Sequence, residues 1–266
     1  MPQETPTRSG HGRVTVQRHR HGAVQIVTDS VAEECPVALV FNGISHAVMM
    51  ATPADLDCFA LGFALSEGII AEASAIRDME VIHHAQSAEV QMELASADFM
   101  ALKAQRRALA GRTGCGVCGI ESIELLDLEP EVIRVDTPAP EVSEAMIGQI
   151  LAALPTHQPL MQATGCAHGA AWCSRTGKII RVFEDVGRHN ALDKLLGWMA
   201  REQIAPDSGL VFLTSRASYE LVRKAARRNI PLIATISAPT SLAIDIARKA
   251  GIRLLSFCRS NGFVVY

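Results

Sequence analysis

The second half of this chain alternates apolar segments of strand character with segments of helical periodicity. Four short apolar runs end near Phe183, Thr214, Ile236 and Phe257, and the segments between them carry apolar residues three and four positions apart. Strands that alternate with helices predict a three-layer α/β domain with a largely parallel sheet. Ligands of such sheets bind beyond the carboxyl ends of the strands. The residues that follow these strands are therefore candidate ligand contacts.

The segments after the strands are rich in groups that bind anions. They are residues 184–190, 215–218, 237–241 and 258–262. Hydroxyl, amide and guanidinium donors beside a helix start or turn are suited to phosphate. Ser, Thr, Asp and Asn are also ordinary helix caps. Segment 184–190, however, has five polar side chains around one glycine, which exceeds the needs of one cap and favours a ligand or interface role.

The first half of the chain lacks this regular alternation of strands and helices, and its pattern predicts a smaller α+β domain. Asn42-Gly43 between two apolar runs predicts a hairpin, and a helix is expected after Pro53. Further elements are predicted as strands at 25–27, 37–41, 46–50 and 88–94 and a helix at 98–110. Pro138 and Pro140 mark a joint, so we predict domains at 1–140 and 141–266.

Two thiols, Cys115 and Cys118, lie in the glycine-rich segment 111–119. Four glycines in nine positions predict an accessible loop in place of a helix or strand. Basic residues before the pair favour the reactive thiolate. They are Lys103, Arg106, Arg107 and Arg112. The pair is compatible with a sulfur carrier, with a dithiol–disulfide redox site, or with half of a zinc site that Cys166 and His168 would complete.

Charge and composition narrow the classes of partner. The net charge is −3, which argues against a general binder of nucleic acid or of membrane surfaces. The first ten residues lack an apolar core, and the longest uncharged stretch, 229–244, contains two prolines and several hydroxyls. We therefore expect a cytoplasmic protein with no membrane and no nucleic-acid partner, whose seven cysteines are mostly reduced.

Two local patterns complete the structural expectations. Cys35, Cys58 and Cys173 lie in apolar runs and are predicted to be core residues. A run of basic residues shares a helix with an apolar stripe and is predicted to be its solvated face. The run consists of Arg223, Lys224, Arg227 and Arg228.

Five segments together resemble the formate dehydrogenase accessory sulfurtransferase family, FdhD. They are residues 115–119, 164–171, 184–194, 214–220 and 257–259, which occur in this order across both halves. The resemblance implies a homodimeric sulfurtransferase that takes persulfide sulfur from a cysteine desulfurase. The acceptor it implies is the molybdenum bis(molybdopterin guanine dinucleotide) cofactor of formate dehydrogenase, bound as substrate, with no permanently bound metal of the carrier's own.

The resemblance also implies roles for individual residues. Cys115 would bear the persulfide, and Cys118 would be its partner thiol. Contacts to the cofactor would come from Phe257, Cys258, Arg259, Ser260, Asn261 and Gly262, with Arg188, His189 and Arg216 as further candidates. The second domain would be similar to the cytidine deaminase fold. Deamination itself is not expected, because Ala170 stands where the zinc deaminases need a glutamate, and no Pro-Cys-x-x-Cys follows.

Overall fold

The computed structural model describes residues 10–108 and 129–266, which form three sheets and seven α-helices. The first sheet is a hairpin of β1 (His11–Arg20) and β2 (Ala23–Ala32), paired antiparallel along its whole length. Its two-residue turn has positive φ at His21 (50°) and Gly22 (80°), the backbone that a tight hairpin turn requires. This hairpin pairs with no strand of the other two sheets.

The second sheet has four strands in the order β4-β3-β6-β5. Its elements are β3 (Cys35–Phe41), β4 (Ile44–Ala51), α1 (Leu56–Ser66), a 3₁₀ turn (Ala73–Ala75), β5 (Ile76–His83), β6 (Ala88–Leu94) and α2 (Ser96–Ala108). The predicted hairpin at Asn42-Gly43 is confirmed, with φ of 46° and 75°. Both helices contribute buried side chains to one core beneath this sheet, while its other face carries no helix from the described residues.

The third sheet has six strands in the order β12-β11-β10-β9-β7-β8. Its elements are α3 (Glu144–Ala153), a 3₁₀ turn (Leu154–His157), α4 (Pro159–Thr164), β7 (His168–Ser174), β8 (Ile179–Asp185), α5 (Arg188–Arg201), β9 (Gly209–Leu213), α6 (Tyr219–Arg227), β10 (Leu232–Thr235), α7 (Ser241–Ala250), β11 (Arg253–Arg259) and β12 (Gly262–Val265). The chain is thus a mixed α/β protein.

The predicted three layers are confirmed for this sheet. Helix α3 packs on one face, and α5, α6 and α7 pack on the other. The expectation of a largely parallel sheet holds for the four strands that were predicted, since β8 runs in the same direction as β9, β10 and β11, but β7 and β12 run antiparallel to them. Strands β7 and β8 are joined by residues 175–178, and β11 and β12 by residues 260–261, links too short for the crossover that parallel strands need.

The two larger sheets meet where α1 crosses α5. Gly62 and Gly197 lie at the crossing, and a Cβ added at either would stand less than 2.2 Å from a backbone oxygen of the other helix. Cys58 is buried in the same contact, and the predicted core positions of Cys35 and Cys173 are likewise confirmed. The predicted boundary between residues 140 and 141 stays a prediction.

The basic run on α6 is not a solvated face, so that prediction is wrong. Lys224 is buried, and its Nζ lies 2.8 Å from Asp193 Oδ2 and 2.8 Å from Glu67 Oε1. It also donates to Ser66 Oγ at 2.9 Å. Arg223 bonds the Glu67 carboxylate at 2.7 Å. This ionic cluster, made of Ser66, Glu67, Asp193, Arg223 and Lys224, joins the end of α1 to α5 and α6.

The ionic cluster predicts a loss of stability in acid. Burial alone would raise the pKa of Glu67, but Lys224 and Arg223 outweigh burial and lower it to about 2 from 4.5. A carboxylate whose pKa is lower in the folded chain stabilises it above the unfolded pKa, and that contribution is lost as the pH falls toward the folded pKa. The stability advantage of the native chain over Glu67→Gln should therefore be about 2 kcal/mol smaller at pH 3 than at pH 7. Urea unfolding at both pH values measures it, and an advantage independent of pH would contradict the pairing.

Among the helices of the described ranges, none is long and apolar enough to cross a membrane.

Candidate functional site

The polar segments of the second half converge on one edge of the six-stranded sheet. Strand β7 runs antiparallel to β9, so its first residue, His168, lies beside the end of β9. The Gly169 N–H donates to Thr214 Oγ1 at 2.8 Å, and the Thr214 N–H donates to the Gly169 carbonyl at 3.0 Å. The antiparallel strands thus bring their starting residues to the same edge as the ends of β9, β10 and β11. We call it the polar edge, and it comprises residues 166–168, 184–190, 214–218, 236–241 and 257–262.

Strand β8 adds a basic group to the polar edge. Asp185 pairs in register with His168, and α5 starts three residues later with Arg188 and His189. Burial lowers the pKa of His168, and its neighbours Arg188, His189 and Arg216 lower it further. These side chains are therefore close enough to influence one another, and His168 is neutral at pH 7. The guanidinium groups of Arg188 and Arg216 therefore give the polar edge a local positive charge that suits an anionic ligand.

His189 is held by a carboxylate. Its Nε2 lies 2.7 Å from Glu220 Oε2, and Ser218 Oγ donates to the same oxygen at 3.4 Å. The hydrogen bond with His189 lowers the pKa of Glu220, burial acts against that change, and the nearby Arg188 lowers the pKa further. Both side chains of the pair are about a quarter exposed or less. The imidazole is thus fixed in orientation at the start of α5.

The other end of the polar edge is built by the β11–β12 hairpin. Phe257 sits at a bulge between Ser256 and Arg259, has φ of 53° and leaves 43% of its side chain exposed. A positive φ is strained for a bulky residue, and an exposed aromatic side chain held in this way is typical of binding sites. The Phe257 N–H donates to the Ser237 carbonyl at 3.2 Å, which anchors the bulge to the end of β10.

The predicted contacts that follow Phe257 do not all face outward. Arg259 is exposed, and its Nη1 donates to the carbonyls of Ile236 and Cys258, so the guanidinium is oriented across the strand ends. Ser260 and Asn261 form the exposed turn before Gly262. Cys258 is fully buried in the core beneath the sheet, and burial raises the pKa of its thiol to about 11. The Cys258 side chain is therefore not placed to meet a ligand.

The arginines of the polar edge are spread along it. Arg259 ends β11, Arg216 follows β9 and is exposed, and Arg188 follows β8. Since neighbouring strands lie about 4.8 Å apart, β11 and β8 are separated by about 19 Å. One phosphate group cannot contact all three guanidinium groups. The spacing suits an elongated ligand with several anionic or polar groups.

Part of the segment 184–194 has a structural role that its sequence did not reveal. Asp185 and Lys194 form a fully buried ion pair at 2.7 Å. Asp185 also accepts from the N–H groups of Thr52 and Gly187, at 3.0 and 2.8 Å. Asn190 donates to the Met50 carbonyl at 2.8 Å. These bonds tie the four-stranded sheet to the polar edge, so these residues hold the two larger sheets together.

Glu184 also has a structural role, because it bonds the start of α4. Its carboxylate accepts the N–H groups of Leu160 and Met161 at 2.8 and 2.9 Å, at the start of α4. Burial raises its pKa, and the hydrogen bonds from Met161 and Leu160 act against that rise. Asp185 and Glu184 are therefore both bonded to other residues of the chain. Among the charged side chains of segment 184–190, this leaves Arg188 and His189 as candidate ligand contacts.

A small cleft lies behind the polar edge, between α1, α5 and α6. His189, Asp193, Glu220 and Lys224 line it together with Met49, Phe63, Glu67 and Arg223. The space is of the size of one or two water molecules, so a nucleotide does not fit there. A large ligand would have to bind on the open polar edge.

Both predicted sulfur-handling thiols, Cys115 and Cys118, lie outside the described residues. Cys166 is exposed just before β7, and its N–H donates to Thr164 Oγ1 at 3.1 Å. Within residues 10–108 and 129–266, no three His, Cys, Asp or Glu side chains are grouped to hold a metal ion. The zinc and redox alternatives both depend on Cys115 and Cys118 and are therefore not tested.

Comparison with known proteins identifies the family. Residues 32–266 match the FdhD/NarQ family. The chain is 59% identical to the sulfur carrier protein FdhD of Chromobacterium violaceum, over 100% of this chain and 98% of that protein. It is also 59% identical to the sulfur carrier protein FdhD of Burkholderia cenocepacia, over 94% of this chain and 92% of that one. The fold is similar to the crystal structure of a formate dehydrogenase accessory protein from Desulfotalea psychrophila, with a TM-score of 0.72, 25% identity and 96% of each chain covered. The chain therefore belongs to the FdhD/NarQ family.

Proposed function

We propose that this chain is a sulfur carrier that accepts persulfide sulfur from a cysteine desulfurase and transfers it to the molybdenum bis(molybdopterin guanine dinucleotide) cofactor for formate dehydrogenase. Support for sulfur carriage comes from the relatives, which are named sulfur carrier proteins. Support for the acceptor comes from the polar edge, because its spread arginines and exposed Phe257 suit a long ligand with phosphates and bases.

The proposed loading step involves one exchange of sulfur bonds. The thiolate of Cys115 attacks the outer sulfur of the persulfide on the desulfurase, and a new S–S bond forms on Cys115. The S–S bond of the donor breaks, and its cysteine leaves as a thiolate. Sulfur changes carrier without an external oxidant or reductant. Cys118 is the neighbouring thiol in this proposal and helps to release the sulfur.

Replacement of Cys115 tests the loading step. After incubation with a cysteine desulfurase and cysteine, we expect the native chain to gain the mass of one or more sulfur atoms and Cys115→Ala to gain none. Mass spectrometry of the intact chain measures this gain. Cys166→Ala is the matched control, because it removes an exposed thiol at the polar edge, and it should load as the native chain does. Equal loading of Cys115→Ala would refute the assignment.

Guanosine diphosphate tests the polar edge separately, since it reproduces the guanine and pyrophosphate of the acceptor. Hydrogen bonds between charged groups contribute about 1.5–3 kcal/mol, so Arg259→Ala should bind it roughly 10- to 100-fold more weakly. Arg248→Ala is the matched control, because Arg248 is exposed in the last turn of α7, at the opposite end of the sheet. Isothermal calorimetry on all three chains measures the affinities. Equal weakening by both variants would mean that the polar edge is not the site.

A further inference from the structure

Helix α5 begins at the polar edge with side chains that do not suit the start of a helix. Its first turn carries Arg188 and His189 and contains no acid, and its N-cap residue is Gly187, which has no side chain to cap it. Basic side chains in a first turn oppose the helix dipole, whose positive end lies there. The carboxylate that compensates for this arrangement comes from the neighbouring helix α6.

The start of α6 is directed toward His189. Glu220 lies in the first turn of α6, and its Oε2 is 2.7 Å from His189 Nε2. The N-cap residue Ser218 donates its hydroxyl hydrogen to the same oxygen at 3.4 Å, and its side chain caps no backbone N–H of α6. A serine at this position ordinarily accepts a hydrogen bond from the first turn of its own helix. Ser218 and Glu220 therefore serve the contact with His189 in place of a local cap.

The next turn of both helices repeats this contact with the charges exchanged. Asp193 lies four residues after His189, on the same face of α5. Lys224 lies four residues after Glu220, on the same face of α6. Lys224 Nζ is 2.8 Å from Asp193 Oδ2, and both side chains are buried, whereas His189 and Glu220 remain 24% and 21% exposed. The inner pair fixes the two helices against each other, and the outer pair lies where a ligand of the polar edge can reach it.

The Glu220 carboxylate decides which nitrogen of His189 is left for a ligand. The hydrogen bond with His189 lowers the pKa of Glu220, so the carboxylate is ionised at pH 7. An ionised carboxylate only accepts hydrogen bonds, so Nε2 of the imidazole carries a hydrogen. Among the described residues, Glu220 is the hydrogen-bond partner of the ring, which leaves Nδ1 for a ligand.

We propose that Glu220 is a positioning residue of the polar edge, which holds the His189 ring so that Nδ1 contacts the bound ligand. The inference rests on the proposed function for its ligand, which is the guanine dinucleotide part of the cofactor. A ring that is already fixed loses less conformational freedom on binding than a mobile one. Glu220 therefore increases the affinity without touching the ligand.

A double-mutant cycle on the binding of guanosine diphosphate tests this role. His189→Ala removes one hydrogen bond and should weaken binding roughly 3- to 10-fold. Glu220→Ala should weaken it about as much, and the double variant should bind no more weakly than His189→Ala alone, because Glu220 acts through His189. Isothermal calorimetry measures the four affinities. Glu202→Ala is the matched control, because Glu202 pairs with Arg201 at the other end of α5, and it should bind as the native chain does.

The sign of the effect separates positioning from charge. Removing a negative charge near an anionic ligand would by itself strengthen binding, so stronger or unchanged binding by Glu220→Ala would overturn the positioning role. Additive weakening in the double variant would do the same. Proton resonance spectra of the native chain should also show a downfield Nε2 proton of His189 that is absent from Glu220→Ala, and a native spectrum without it would contradict the pairing. A native chain that does not bind guanosine diphosphate would instead overturn the proposed acceptor, and this inference with it.

Discussion

Replacing Lys224 with methionine should lower the free energy of unfolding by about 3–5 kcal/mol, because it leaves buried carboxylates without their cation. The side chains of Lys224 and Asp193 are only 5% and 2% exposed. Burial alone would lower the pKa of Lys224, but the carboxylates of Asp193 and Glu67 outweigh it and raise the pKa. The lysine is therefore charged in the folded chain. Methionine preserves most of its volume and removes the charge, and urea unfolding at pH 7 measures the loss.

The control for this prediction is Lys249→Met. Lys249 also forms an ion pair, at 2.6 Å with Glu129, but 49% of its side chain is exposed. Exposed pairs contribute about 0–1 kcal/mol, so this variant should remain close to the native chain in stability. A loss at Lys224 no greater than the loss at Lys249 would show that the ionic cluster does not stabilise the contact between the two larger sheets.

Replacing Gly197 with alanine should destabilise the chain by at least the upper end of the ~1–3 kcal/mol range for overpacked cores. An added Cβ would lie 1.9 Å from the Cys58 carbonyl oxygen and 2.8 Å from the Gly62 nitrogen. These are backbone atoms of α1, so no side-chain rotation relieves the clash and the two helices must separate. Thermal unfolding would show the loss as a lower midpoint temperature.

Gly148→Ala is the matched control for the helix crossing. Gly148 also lies inside a helix, α3, but nothing stands within 4 Å of its added Cβ. Alanine favours the helix by about 0.8–1.0 kcal/mol relative to glycine, so this variant should be more stable than the native chain. If Gly197→Ala were also stabilising, α1 and α5 would not be in contact as closely as the structure places them.

Several elements were predictable because their cause is local. The Asn42-Gly43 turn follows from the positive φ that these residues tolerate, and helices α5, α6 and α7 follow from apolar spacing. Strand β7 was recognised only as part of a motif, since seven residues without clear alternation do not distinguish a buried strand. Its absence from the prediction explains why the sheet was expected to be largely parallel.

The error at α6 has a different cause. Helical periodicity separates an apolar face from a polar face, but it does not show what the polar face contacts. Here that face packs against Ser66 and Glu67 at the end of α1, residues far away in the chain. The roles of Asp185 and Lys194 were hidden for the same reason, because their partner Thr52 is also distant in sequence.

The sequence by itself determined many of the helices and strands, the order of the five motifs and the resemblance to the FdhD family, because periodicity, turn residues and motif spacing are properties of neighbouring positions. Only the tertiary structure decided that His168 lies at the same edge as the strand-end residues Arg188, Arg216 and Arg259, since antiparallel pairing brings the start of β7 beside the end of β9. It also decided that Cys258 faces the core and that Gly62 and Gly197 join the two larger sheets. These facts depend on contacts between distant residues, which local patterns do not specify.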